Sequence, residues 1–355
     1  MNQPASTSPA DSVITQTLRC GVIGVGRMGR HHARVYAQAE GAELVGVVDA
    51  NPERREDITS QWGGRAFESV EQLIEAGVDA VTVATPTVHH RAAVEPLLRA
   101  GVACLVEKPL APDAHEARII ADIAAETGTL LQVGHIVRYD PLMRALCAVE
   151  DITPRFIEVD RISPMTFRST DVGVVLDMMI HDLDLLIMLM GAEPVEVHAN
   201  AVCVVGEAED VCNARLVFPP AADGVSCVAN VTASRLALKT ERKFRVISED
   251  AYISADFVKR EGTVVRKTAN AMQLQEVREQ LKAGADLSSI NYLDLVAVEP
   301  LKVDDVEPLK AQLDDFLDAV RTDRRASVDA EAGFAAVRTA ERIVAAARAS
   351  GSRMV

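Results

Sequence analysis

Three carboxylates and an imidazole fall within eight residues, Asp177-Met178-Met179-Ile180-His181-Asp182-Leu183-Asp184, in a run from Val174 to Met190 that is otherwise almost entirely apolar. An ionised group in such a run is costly to bury unless it is paired or reaches a polar site. In a helix, Asp177 and His181 are four apart and share one face. A carboxylate there can orient and charge-tune the imidazole, as proton transfer requires. The same pattern also fits a buried histidine satisfied by a local aspartate.

A second chemical signal lies near the N-terminus. Gly24-Val25-Gly26-Arg27-Met28-Gly29 follows a β-like run and opens a helical one, and Asp49 ends the next strand, 20 residues beyond Gly29. This is the context in which GxGxxG binds a dinucleotide. Gly24 allows the tight turn, Gly26 lets backbone approach a pyrophosphate, and Gly29 lets helix and strand pack closely. The helix N-terminus then offers N–H groups to the phosphates. Asp49 would accept from the ribose hydroxyls and repel a 2′-phosphate, which favours NAD over NADP. Arg54 and Arg55 keep NADP open. His31 and His32 read as surface or capping residues without a role.

Glu107-Lys108-Pro109 ends a strand on the side of the sheet where doubly wound folds bind ligands. A lysine there can donate to a substrate hydroxyl and lower its pKa, and Pro109 is a candidate cis proline. A surface lysine in a βα loop is the plainer alternative.

The elements that must position these residues fall into two patterns. From Arg19 to about Gln132, short apolar runs (Cys20–Gly24, Leu44–Asp49, Ala80–Ala84, Ala103–Val106, Leu130–Val133) alternate with helical ones (Met28–Gln38, Pro52–Gln61, Val70–Ala76, His89–Ala100, Asp113–Thr127). That alternation predicts a doubly wound parallel sheet covered on both faces. After Pro141 a helix near Leu142–Ala148 and the strand Phe156–Ile162 precede a Val174–Met190 helix. Alternating runs follow at Val195–Val205, Val211–Phe218, Val225–Ser234, Lys243–Ile247 and Tyr252–Phe257, and predict an open, mostly antiparallel sheet. Ala271–Ile290 reads as a helical or looped excursion, and amphipathic helices at Leu309–Arg321 and Glu331–Ala349 close the chain. The expected organisation is α/β followed by α+β: a disordered arm at 1–17, a cofactor domain at 18–135, a substrate-binding and oligomerisation domain at 136–308, and C-terminal helices at 309–355.

With 355 residues, two domains each have room for a core. A net charge of −15 argues against nucleic acid or an anionic membrane as partner. Nothing in the chain is long and apolar enough for a transmembrane helix. The Ser/Thr/Pro/Ala-rich start lacks the basic and apolar regions of a signal peptide. Six cysteines without a CxxC pair read as reduced core residues in a cytoplasmic protein, and no metal site is expected.

Taken together, the residues resemble the glucose–fructose oxidoreductase / inositol 2-dehydrogenase (Gfo/Idh/MocA) family. The glycine loop, Thr85-Pro86 with His90, Glu107-Lys108-Pro109, Val133-Gly134 through Arg138 to Pro141, and Asp177-x-x-x-His181 occur in that family's order and spacing. The resemblance implies a Rossmann domain, a C-terminal domain whose sheet mediates dimer or tetramer contacts, and nicotinamide-dependent chemistry at a sugar or polyol carbon. It implies that Lys108, Asp177 and His181 are catalytic. It also places Thr85, Pro86, His90, Glu107 and Lys108 at the cofactor, and Arg138 and Tyr139 at the substrate.

A narrower resemblance covers Phe167 to Asp182, Asn213 to Leu216 and Asn230 to Arg235. It is to the subgroup acting on UDP-linked N-acetylhexosamines, and within it to UDP-N-acetylglucosamine 3-dehydrogenases. The product implied is a 3-keto sugar that a PLP aminotransferase consumes in diamino-sugar and lipid A synthesis. Arg168 and Ser169 would meet the diphosphate, although Arg168 could instead pair with Asp171. An inositol or free-sugar dehydrogenase, an NAD-retaining glycosidase and a nicotinamide sensor are the competing readings.

Overall fold

The computed structural model describes residues 16–166, 172–205, 207–269, 271–284 and 292–352. Most of the expected N-terminal arm, and both Arg168 and Ser169, lie outside the described residues. The chain divides into two compact units: residues up to Glu107 with Ile123–Gln132 and Leu313–Ser327, and Lys108–Asp122 with Val133–Gln312 and the residues from Val328.

Apolar runs four to seven residues long, with one three-residue edge strand, build the N-terminal sheet. Its strands are β1 (Leu18–Ile23), β2 (Ala42–Val48), β3 (Arg65–Phe67), β4 (Ala80–Val83), β5 (Ala103–Glu107) and β6 (Leu131–Gly134), in the order 3-2-1-4-5-6. The helices between them are α1 (Gly29–Gln38), α2 (Pro52–Trp62), α3 (Val70–Glu75), α4 (His90–Arg99) and α5 (Ala114–Thr127). Local chemistry sets their starts. Asn51 accepts from the N–H groups of Glu53 and Arg54 ahead of Pro52, and Ser69 accepts from Gln72. Sequence periodicity passes over β3, because a three-residue edge strand with two exposed positions has almost no apolar alternation to detect.

Among the described residues the second sheet has eight strands. Helix α6 (Pro141–Cys147) leads into β7 (Phe156–Ile162), and α7 (Ile180–Met190) precedes β8 (Glu196–Val202), β9 (Val211–Pro220), β10 (Ser226–Ser234), β11 (Glu241–Ile247), β12 (Ala251–Asp256) and β13 (Glu261–Lys267). Then come α8 (Ala271–Lys282), β14 (Val296–Pro300), α9 (Pro308–Thr322) and α10 (Ala330–Ala349). The strand order is 14-13-12-11-7-10-9-8, with one parallel contact, between β7 and β10. Strands β13 and β14 are additions to the expected set: β13 is rich in charged and small residues, and β14 is a short edge strand, so neither shows a clear alternation. One face is apolar: Ile157 and Val159 on β7, Ala229 and Val231 on β10, and Phe244 and Val246 on β11 join a core with Met179, Leu183, Leu186 and Ile343. Burying that face supplies most of the drive that holds helix to sheet.

The Val174–Met190 segment differs from a plain α-helix. It opens with a π-helical turn at Val175–Met179 before α7 begins. Such widened turns concentrate at functional sites.

Candidate active site and dinucleotide site

Lysine 108 follows the last residue of β5, and its peptide bond to Pro109 is cis. Its Nζ donates to the Asp177 carbonyl at 2.7 Å and stands 3.4 Å from Asp177 Oδ1. Lys108, Asp177 and His181 together line one pocket of about 260 Å³, with Arg161, Ser163, Met178, Thr240 and Arg242.

The expected Asp177–His181 pairing does not form. The carboxylate goes to Lys108, and among the described residues it makes no ion pair with the imidazole. The reason is local geometry. The π turn widens the spiral between positions 177 and 181, so the i,i+4 stacking of a regular helix is lost. His181 Nδ1 is sealed from water and has no partner among the described residues, which leaves Nε2 to face a ligand. Burial first, then the nearby charges of Lys108 and Arg161, hold the His181 pKa well below the usual histidine value. A neutral imidazole at working pH can take a proton.

The other two carboxylates of the run have partners. Arg161 grips Asp182 with two bonds at 2.7 and 2.6 Å, and Arg138 grips Asp184 at 2.7 and 2.5 Å. These forks explain how α7 tolerates two buried charges. They also place Arg138 away from the pocket lining, and Tyr139 is buried. His135 lies edge-on to His181, with ring centroids 6.5 Å apart.

Within the first unit, a cavity of about 570 Å³ is lined by Gly24, Asp49, Ala50, Arg54, Thr85, Pro86 and His89. The glycine loop fits a dinucleotide for steric reasons. A Cβ on Gly29 would sit 1.9 Å from the Gly24 carbonyl oxygen, so only glycine lets α1 close on the turn. At Gly26 nothing lies nearer than 4.0 Å, which keeps the approach to backbone clear. Asp49 uses Oδ2 to accept from Val25 N and Oδ1 to accept from Asn51 N, at 2.8 and 2.9 Å. It therefore ties the loop to β2 and retains lone pairs for ribose hydroxyls. Arg54 lines the cavity, whereas Arg55 donates to the Asp49 carbonyl.

The remaining expected cofactor residues serve the cradle. Val25, Arg27 and Met28 complete the turn into α1 without lining the cavity. His90 Nε2 reaches the Thr85 carbonyl at 3.1 Å and holds that loop. Glu107 turns inward to His32 Nε2 at 2.8 Å. His32, expected at the surface, is fully buried, because Glu107 and Thr82 satisfy its two nitrogens beneath the glycine loop. His31 is exposed.

Residues 18–135 match the family described as oxidoreductase, NAD-binding Rossmann fold, and residues 165–354 match that family's C-terminal alpha/beta domain. The chain belongs to the Gfo/Idh/MocA oxidoreductase family. Among its relatives in that family is the UDP-N-acetylglucosamine 3-dehydrogenase of Acidithiobacillus ferrooxidans, 37% identical over 89% of this chain and 93% of its own. A solved structure of that enzyme superposes with a TM-score of 0.81 at 35% identity, covering 94% of this chain and 98% of its own. An inositol 2-dehydrogenase of Rhizobium meliloti is 32% identical over 60% of this chain and 68% of its own. A levoglucosan dehydrogenase structure, at 18% identity and a TM-score of 0.78 over 95% of this chain and 98% of its own, shares the fold. Gfo/Idh/MocA membership accounts for the NAD-binding first unit and the oxidoreductase class.

Arg161 and Arg242 were not among the residues that sequence reasoning singled out. Their signal was parity: each continues the inward-facing alternation of its strand, after Val159 on β7 and before Phe244 on β11.

Proposed function

We propose that this chain is an NAD-dependent dehydrogenase that oxidises the C3 hydroxyl of UDP-N-acetylglucosamine to a ketone. The observation that carries it is one pocket holding the Lys108 ammonium, Asp177 and a neutral His181. His181 Nε2 takes the hydroxyl proton. Lys108 Nζ donates to the same oxygen and stabilises developing alkoxide, while Asp177 holds the ammonium in place. When bound, the dinucleotide supplies the hydride acceptor for the carbinol carbon. Gly24, Val25, Gly26, Arg27, Met28 and Gly29, with Asp49, Thr85 and Pro86, would hold it, and His90 and Glu107 would brace them. The sugar-nucleotide substrate is supported by the Acidithiobacillus ferrooxidans relative.

The reaction leaves a 3-keto sugar, which a PLP-dependent aminotransferase would consume in making a diamino sugar. On the outward face of the second sheet, Tyr252, Val265 and Val298 stand side by side across β12, β13 and β14. Tyr252 and Val298 are 36% and 51% exposed, which supports a homodimer or homotetramer built through that face. Six unpaired cysteines support a reducing, cytoplasmic setting.

The test is NADH absorbance with NAD and UDP-N-acetylglucosamine, UDP-N-acetylgalactosamine, myo-inositol or glucose, with an aminotransferase pulling the equilibrium. Reduction with UDP-N-acetylglucosamine is expected. Reduction with myo-inositol alone would replace the sugar-nucleotide reading with a polyol one.

A further inference from the structure

Three arginines occupy inward positions at one end of the second sheet. Arg161 ends the inward series of β7, Arg235 follows that of β10, and Arg242 begins that of β11. Two have buried carboxylates: Asp182 for Arg161, and Asp210 for Arg235 at 2.7 Å. Arg242 has none. Its Nε and Nη2 are closed off from water and make no hydrogen bond among the described residues. Its guanidinium lies 4.9 Å from the centre of the Phe257 ring.

Arg242 also stands directly across from Arg161 in the β7–β11 ladder. Like charges in facing positions destabilise a sheet. Asp182 forks with Arg161 and, with Asp140, offsets part of the Arg242 charge only through space. Burial, followed by the charge of Arg161, lowers the Arg242 pKa to about 10. A buried charge without a partner works against folding; the carboxylates in its pocket lining, Asp177 and Glu241, pair with Lys108 and Lys243 instead, which leaves Arg242 open to an anion brought from outside.

We propose that Arg242 binds the diphosphate of the sugar nucleotide, an assignment that rests on the sugar-nucleotide reading above. The diphosphate hangs one glycosidic bond from the ring that reacts, so an anion site belongs beside the proton-transfer residues. Nη1, the nitrogen that is not closed off, is the donor that meets a phosphoryl oxygen, and the guanidinium brings its full charge to that contact. Phosphate binding would also relieve the Arg161–Arg242 repulsion, coupling ligand entry to a better-satisfied pocket.

The test is calorimetric titration of UDP and of uridine into the NAD-loaded wild type, Arg242→Gln and Arg242→Lys. Arg242→Gln should weaken UDP about tenfold or more, the worth of a charged hydrogen bond. Uridine and NAD affinities should stay unchanged. Arg242→Lys should fall between, having charge without the planar guanidinium and its reach. The Tm of Arg242→Gln should match or exceed that of wild type, because a cation waiting for a ligand contributes no stability. UDP affinity within twofold of wild type in Arg242→Gln overturns the proposal. So does a Tm that drops by several degrees in Arg242→Gln and recovers in Arg242→Lys, which assigns the guanidinium to structure. A wild type that binds no UDP overturns the sugar-nucleotide reading itself, and Arg242's role with it.

Discussion

Lys108 Nζ holds Asp177 twice, through the main-chain carbonyl at 2.7 Å and the carboxylate at 3.4 Å. One ammonium thus pins the π turn and receives a compensating charge from it. The division of labour follows: Asp177 sets Lys108, and His181 stands apart with a neutral ring.

Removing either proton-handling group should stop chemistry and spare cofactor binding. Lys108→Met and His181→Ala are each expected to lower kcat by roughly 10²–10⁴, the usual worth of positioned acid–base help. Asp177→Asn should cost less than His181→Ala, since the carbonyl anchor of Lys108 survives it. Single-turnover kinetics with a parallel NAD titration checks all three. Near wild-type turnover in His181→Ala would remove it as the base.

The pH profile should report the neutral imidazole. Its folded pKa is depressed by burial and by Lys108, so the base form persists below pH 6.5 and kcat/KM should not decline between pH 8 and 6.5. Replacing Lys108 by Met removes one depressing charge and should move the acid limb of residual activity upward. The stability sign is the same: below pH 6.5 the unfolded chain binds a proton here that the folded chain refuses, so stability falls as pH drops. A wild-type acid limb at or above pH 7 would contradict the depressed value.

Much of the site was legible because its chemistry depends on residue types at fixed chain positions. Gly24, Gly26 and Gly29 announce a turn that tolerates no side chain at Gly29, and Lys108 sits at a strand end. The Asp177–His181 pairing was misread because a π turn leaves no mark on an apolar period. The fork of Arg138 with Asp184 was not legible because its partner lies 46 residues on, and only tertiary structure brings the two together. His32 was misread for the same reason: the carboxylate that permits its burial is 75 residues away.

The Arg138–Asp184 fork predicts a stability phenotype separate from catalysis. Asp184 is 1% exposed, and Asp184→Asn strips a buried guanidinium of its counter-charge. Loss of one partner in a buried pair costs about 3–5 kcal/mol. Urea denaturation of Asp184→Asn should show a lower midpoint. The double variant with Arg138→Met should regain part of it, since the stranded charge is gone. Equal midpoints for Asp184→Asn and wild type would mean that the pair contributes nothing.

Cofactor choice turns on Asp49. Its carboxylate anchors Val25 N and Asn51 N, and its charge faces the cavity that Arg54 also lines. A 2′-phosphate brought there meets a carboxylate first, and the guanidinium of Arg54 offsets only part of that repulsion. Asp49→Ser removes the repulsion, forfeits the ribose contact and leaves Arg54 in place. NAD should therefore weaken about tenfold or more, the scale of hydrogen bonds to a charged group, while NADP holds or tightens. Adding Asp49→Ser to Arg54→Ala should cancel the gain for NADP, because the cation that receives the phosphate is then absent. Calorimetric titration of both dinucleotides into the three proteins reads the ratio directly, and an unchanged NAD to NADP ratio in Asp49→Ser would take Asp49 off the ribose.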